Sequence, residues 1–222
     1  MQWVRGALVA GSSRYHRDNV PEPIASLPKL LRATVASQLS FFRRSTVDVA
    51  RDLIGAVLVH APTAGMIVET EAYLGGDDAA AHSARGKTER TKVIFGPPGR
   101  AYVYFIYGMH ECLNVVAKLE EQGAGCVLIR ALEPLCGVDE MRLRRHWNGP
   151  AIGLANGPGK LTQAMDITRR HYGQRLDQGS LTIRLWREQP SFQIAVTPRI
   201  GISQCADWPL RFVWSGHPCV SK

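Results

Sequence analysis

Several common motifs are missing from this chain, and each absence removes a class of chemistry. The five cysteines among its 222 residues, Cys112, Cys126, Cys136, Cys205 and Cys219, form no C-x-x-C pair. Cys112, Cys126 and Cys136 lie in or beside apolar runs, so buried free thiols in a reducing compartment are expected rather than a disulfide frame. The seven histidines and five cysteines supply neither H-x-E…C-x-x-C nor H-E-x-x-H, which excludes a zinc deaminase or zinc protease. There is no G-x-S-x-G elbow. Gly157-Pro158-Gly159-Lys160 is not a phosphate loop, because Leu154 stands five residues before Gly159 and Leu161 follows the lysine. No apolar stretch approaches a membrane span, and Gly6–Gly11 is too short for a signal-peptide core. A cytoplasmic protein of bacterial type is the expectation.

What the chain does carry is positive charge. Its 27 lysines and arginines outnumber 19 acidic residues, for a formal charge of +8. This favours an anionic partner, nucleic acid first, although a membrane surface or plain solubility gives the same balance. Hydrophobic residues at 45% and charged residues at 21% allow a real core. The length fits one large domain, or a domain plus a tail.

Residues 1–39 stand apart, mixing Arg5, Arg14, Arg17, Lys29 and Arg32 with little periodicity. They read as a basic N-terminal extension, partly disordered, with a helix near Pro28–Ser37; a translation start placed too far upstream explains the same composition. The catalytic domain is then residues 40–222. Ser45 caps a helix running to Ile54, with Gly55 as its stop. Ala56–His60 reads as a strand, Pro62–Gly65 as a turn, Met66–Tyr73 as the next strand and Ala79–His82 as a single helical turn. A long basic loop spans Ser83–Arg100, and Ala101–Ile106 with His110–Lys118 forms a hairpin. Gly125–Ala131 is a strand, Gly137–His146 and Lys160–Met165 are helices, and three strands follow near Leu181–Trp186, Phe192–Val196 and Leu210–Trp214. Many strands with scattered helices argue for an α+β fold: one domain with a curved antiparallel sheet, flanking helices and a protruding hairpin.

The segment from Ile67 to Tyr107 concentrates the chemistry. Side chains alternate along a strand, so Glu69, Glu71 and Tyr73 share a face. Tyr102, Tyr104 and Tyr107 fall within six positions. Carboxylates beside flat rings, in a basic protein, suit a site that holds an extruded nucleobase and activates water. Glu71 is the candidate base, and Glu69 is read as structural. Tyr102 is read as core packing, whereas Tyr107 at a hairpin tip has no interior to enter and suits a wedge that fills the gap in a base stack. Tyr104 and Tyr73 then suit stacking on the base. Asn114 and Arg130 each interrupt an apolar strand, where a packing network is the plainer account; Arg130 is also placed to hold a carboxylate, a water or a phosphate.

These residues resemble the alkyladenine (3-methyladenine) DNA glycosylase family. The likeness rests on Ile67-Val68-Glu69-Thr70-Glu71-Ala72-Tyr73-Leu74-Gly75, Ala80-Ala81-His82-Ser83, Tyr102-Val103-Tyr104 and Ile106-Tyr107-Gly108-Met109. Asn114, Cys126–Pro134 and Gly157–Leu161 continue it in order, over residues 40–218. The resemblance implies that Glu71 activates the water and Arg130 helps hold it. It also implies that Tyr73, His82 and Tyr104 line the base pocket, that Asn114 crowds the exocyclic amine of guanine, and that Tyr107 and Met109 enter the DNA stack. Arg85 and Lys160 are candidate backbone contacts. The chain departs from the vertebrate pattern in its N-terminus, in His110-Glu111 and in Ile94. The implied activity is excision of alkylated or deaminated purines from damaged double-stranded DNA, by a monomer at the bacterial nucleoid, with no metal or organic cofactor. The pocket motifs hold no lysine, so neither a Schiff base nor strand cleavage is expected. A binding module without chemistry and a small-molecule nucleoside hydrolase are the other classes; intact Glu71 argues against the first, and the exposed aromatic tip against the second.

Overall fold

Two strands of 11 residues each form the spine of the molecule. The computed structural model describes residues 26–106, 108–188 and 190–221. Its helices are α1 (Leu27–Ala33), α2 (Leu39–Phe42), α3 (Thr46–Asp52), α4 (Val138–Arg145) and α5 (Pro158–Ala164). The strands are β1 (Thr34–Ala36), β2 (Val57–His60), β3 (Thr63–Tyr73), β4 (Ala101–Ile106), β5 (His110–Val116), β6 (Cys126–Cys136), β7 (Leu181–Trp186), β8 (Ile194–Thr197) and β9 (Arg211–Trp214). Every pairing among these strands is antiparallel, in the order β1-β7-β2-β3-β6-β5-β4, with β9 on β3 and β8 on β9.

β3 changes partners part-way along. Residues Thr63–Met66 pair with β2, whereas Glu69–Glu71 pair with β9, and register shifts beside Glu69 mark the change. Bulges of this kind bend and twist a strand, and here they turn the acidic half of β3 away from the β2 edge. The opposite face of β3 packs on α3, where the buried Thr70 hydroxyl donates to the Ala50 carbonyl at 2.7 Å. α3 begins where expected, with Ser45 Oγ accepting from the Asp48 amide at 3.1 Å. It ends in a turn at Gly55, whose φ of +85° suits glycine.

Some boundaries differ from the sequence expectation for local reasons. The turn after β2 is shorter than Pro62–Gly65, because Thr63 already pairs with His60 and its hydroxyl donates to the His60 carbonyl at 2.7 Å. The helical turn expected at Ala79–His82 lies at His82–Arg85. Asp78 accounts for the shift, since its carboxylate takes the Leu74 and Ala80 amides and competes with helix there. The helix near Pro28–Ser37 stops at Ala33, and Thr34–Ala36 then pairs with β7. The domain boundary drawn at residue 40 falls within α2, and residues 1–25 of the expected extension lie outside the described residues. The β4–β5 hairpin forms as expected, with Gly108 at φ +69° and Met109 65% exposed at its tip. Among the described residues, no helix is long and apolar enough to cross a membrane.

Candidate active site

A single row of cross-strand neighbours lays out the site. Glu71 on β3 pairs with Leu128 on β6, Leu128 with Asn114 on β5, and Asn114 with Tyr102 on β4. Directly opposed residues of antiparallel strands point to the same face. Residues two positions away share that face, which adds Tyr73, Tyr104, Cys112, Cys126 and Arg130. Apart from Glu71, all of these line one cavity of about 280 Å³, which His82 and Ile200–Ile202 also line.

The two carboxylates have different surroundings, although neither is exposed. Glu69 Oε1 accepts from Arg130 Nε at 2.9 Å, Arg211 Nε at 2.7 Å and Ser221 Oγ at 2.8 Å, and Oε2 accepts from the Ser221 amide at 2.7 Å. Glu71 Oε2 accepts from the Tyr73 hydroxyl at 2.9 Å and Arg130 Nη1 at 3.2 Å, and Oε1 accepts from the Ile200 amide at 2.8 Å. Two guanidinium groups therefore match Glu69, while Glu71 shares one of them. A carboxylate oxygen has two lone pairs, so Glu71 Oε1 and Glu69 Oε2, with one donor each, have a second acceptor position, and what separates the two acids is the guanidinium count and their place relative to the cavity. Glu71 itself sits one layer behind the cavity wall; its three partners Tyr73, Arg130 and Ile200 form that wall. Burial works against charge on Arg130, but Glu71 and then Glu69 outweigh it and raise its pKa, so the guanidinium stays protonated.

The aromatic wall is continuous. The Tyr102 and Tyr104 rings lie 5.2 Å apart, and His82 meets Tyr104 edge-on at 4.6 Å. Burial, with the Glu71 charge second, pushes the Tyr73 phenol far above its ordinary range, and burial does the same for Tyr104. Both remain neutral hydrogen-bonding rings. Desolvation first, then Arg90 and Arg85, hold His82 below the usual imidazole value. Asn114 is buried, with its amide donating to the Tyr102 carbonyl at 3.3 Å and its oxygen 3.8 Å from Cys126 Sγ. Burial raises the Cys112 thiol to about 11 and the Cys126 thiol to about 12.

The structure thus brings Glu71, Arg130, Tyr73, His82, Tyr104 and Asn114 together. Met109 lies at the hairpin tip, and Arg85 and Lys160 are exposed, Lys160 donating to Asn156 Oδ1 at 2.9 Å. Tyr107 lies outside the described residues. Ile94, one of the departures from the vertebrate pattern, is fully buried and packs with Val93 and Tyr102. Tyr102 is buried in the core as expected, and it also lines the cavity, with its hydroxyl 2.9 Å from His82 Nδ1. Sequence reasoning also missed Ile200–Ile202, Arg199, Arg211 and Ser221. All come from the distant C-terminal third, and among them only the isolated arginines gave any signal.

An open antiparallel sheet whose one face gathers two buried acids, an arginine and a cage of neutral rings is the layout of a base-handling hydrolase. Residues 40–218 match the family described as methylpurine-DNA glycosylase. A protein of Methanoculleus marisnigri, named as a candidate 3-methyladenine DNA glycosylase, is 52% identical over 190 residues, covering 82% of this chain and 97% of that one. A Koribacter versatilis protein of the same name is 48% identical over 189 residues, covering 82% and 91%. One from Bacillus cereus is 45% identical over 201 residues, covering 82% and 97%. The chain belongs to the methylpurine-DNA glycosylase family, and so is a hydrolase acting on N-glycosidic bonds in DNA.

Proposed function

We propose that this enzyme extrudes an alkylated or deaminated purine from duplex DNA into the cavity and hydrolyses its N-glycosidic bond with a water activated by Glu71. The observation that carries this reading is the place of Glu71 Oε1, beside the Ile200 amide and directly behind an aromatic cavity that Arg130, bonded to the other carboxylate oxygen, helps to line. A water accepting from Arg130 and donating to that oxygen would sit between the acid and the cavity, where the sugar carbon of an inserted nucleotide comes within reach. An N3- or N7-alkylated purine carries positive charge, which makes it a good leaving group and draws it to tyrosine faces.

No lysine lines the cavity among the described residues, and Lys118 Nζ is tied to the Phe95 and Gly123 carbonyls. This supports simple hydrolysis to an abasic site without a covalent imine. Buried Asn114 supports a part in turning away guanine's exocyclic amine. The enzyme is read as a monomer on damaged double-stranded DNA, needing neither metal nor organic cofactor, with Arg85 and Lys160 on phosphates and Tyr107 and Met109 in the stack. The test is base release from duplexes holding one 7-methylguanine, hypoxanthine or ethenoadenine, with the strand assayed for nicking. Release with an intact strand is expected. Release accompanied by β-elimination would overturn the hydrolytic reading.

A further inference from the structure

The segment that follows β9 reaches the two buried acids. The His217 amide donates to the Trp214 carbonyl at 3.1 Å and the Val220 amide to the His217 carbonyl at 3.2 Å. The Cys219 amide donates to His217 Nδ1 at 3.2 Å, and the buried imidazole has its Nε2 3.2 Å from Glu133 Oε2 on β6. This folded turn carries Ser221 to Glu69. Glu69 Oε2 accepts the Ser221 amide at 2.7 Å, and Oε1 accepts the Ser221 hydroxyl at 2.8 Å. Ser221 lies beyond residues 40–218, the stretch that matches the family.

The consequence falls on Arg130. Its Nε donates to Glu69 at 2.9 Å and its Nη1 to Glu71 at 3.2 Å, so two anions share one planar, rigid fork. The two acids stand two positions apart on β3, roughly 7 Å along a strand. Movement of the fork toward one is movement away from the other. Glu69 Oε1 receives three donors, Arg130 Nε, Arg211 Nε and Ser221 Oγ, for two lone pairs. The hydroxyl therefore competes with both guanidinium groups for that oxygen. Without it, Arg130 Nε takes a fuller share of Oε1, and the fork is drawn toward Glu69 at the expense of the longer Nη1 bond to Glu71.

We propose that Ser221 is a positioning residue: by occupying Glu69, it leaves Arg130 within reach of Glu71 and of the cavity that Arg130 lines. Its effect on the reaction rests on the function proposed above; its contact with Glu69 does not. Ser221 touches neither the cavity nor Glu71, so it acts through Glu69 and Arg130 alone.

The first test is hydrogen exchange at the Ser221 amide, followed by NMR on the protein without DNA. Donation to a buried carboxylate should slow exchange by on the order of a hundredfold relative to an unstructured chain. An amide that exchanges at the unstructured rate overturns the proposal even if no variant folds. The second test is single-turnover release of 7-methylguanine at saturating enzyme. Ser221→Ala should be slower by about tenfold, with affinity for the lesion duplex kept. Ser221→Thr, which retains the hydroxyl, should recover most of that loss. A segment that served folding alone would change the folded fraction and not the rate constant of folded enzyme. In a Glu69→Gln background no anion competes for Arg130, and adding Ser221→Ala should slow release no further. Ser221→Ala at the wild-type rate, or slowing by the same factor in both backgrounds, overturns the proposal. An enzyme that works without Glu71 overturns the function above, whereas one that needs Glu71 and ignores Ser221→Ala overturns this role alone.

Discussion

The Ile200 amide donates to Glu71 Oε1 at 2.8 Å, joining positions 129 residues apart in the chain. What holds that amide in place is the residue before it. Arg199 and Asp78 form a fully buried pair at 2.6 and 2.8 Å, and the guanidinium also lies 4.7 Å over the Tyr73 ring. Arg199→Met should strand Asp78 in the interior and lower stability by about 3–5 kcal/mol. It should also slow base release in the folded fraction, as Ile200 loosens. Urea denaturation alongside single-turnover assays checks both effects, and an unchanged urea midpoint would contradict the first.

Glu71→Gln keeps the shape of the side chain but removes the proton acceptor. Single-turnover base release should fall by on the order of 10²–10⁴-fold, while affinity for lesion duplex is kept. A Glu71→Gln enzyme working at full rate would end the proposed mechanism.

Glu69→Gln should act on stability instead. One neutral amide cannot match Arg130, Arg211 and both Ser221 donors, so two guanidinium groups lose their shared anion. A loss of about 3 kcal/mol is expected, read as a lower melting temperature. If Glu71→Gln lowered the melting temperature more than Glu69→Gln does, the assignment of the two acids would be reversed.

Arg85→Ala and Lys160→Ala should each reduce the slope of log affinity against log salt by about 1. Binding isotherms from low to moderate salt give this slope, and an unaltered value removes that residue from the phosphate contacts.

Tyr107→Ala should weaken binding to a lesion duplex more than to a duplex with an abasic bulge, where no stacked base has to be displaced. Equal losses on the two ligands would argue against a wedge.

The sequence showed the face of the site better than its roof. Alternation alone placed Glu69, Glu71 and Tyr73 together, and the spacing of Tyr102 and Tyr104 did the same for β4, because strand geometry is local. The pairing of Glu71 with Leu128, and of Leu128 with Asn114, needed the sheet order, which depends on contacts far apart in sequence. Tyr102 is core, as read, and what the sequence could not show is that its hydroxyl reaches His82. The loop at Ile200 acts through a backbone amide, which any residue type except proline supplies, so composition could not reveal it.

Cys112 and Cys126 line the cavity proposed above for the extruded base, with thiols raised by burial to about 11 and about 12. Methylating electrophiles attack thiolate, not thiol. At neutral pH these two sulfurs therefore stand as thiols and lack the thiolate form that such electrophiles attack.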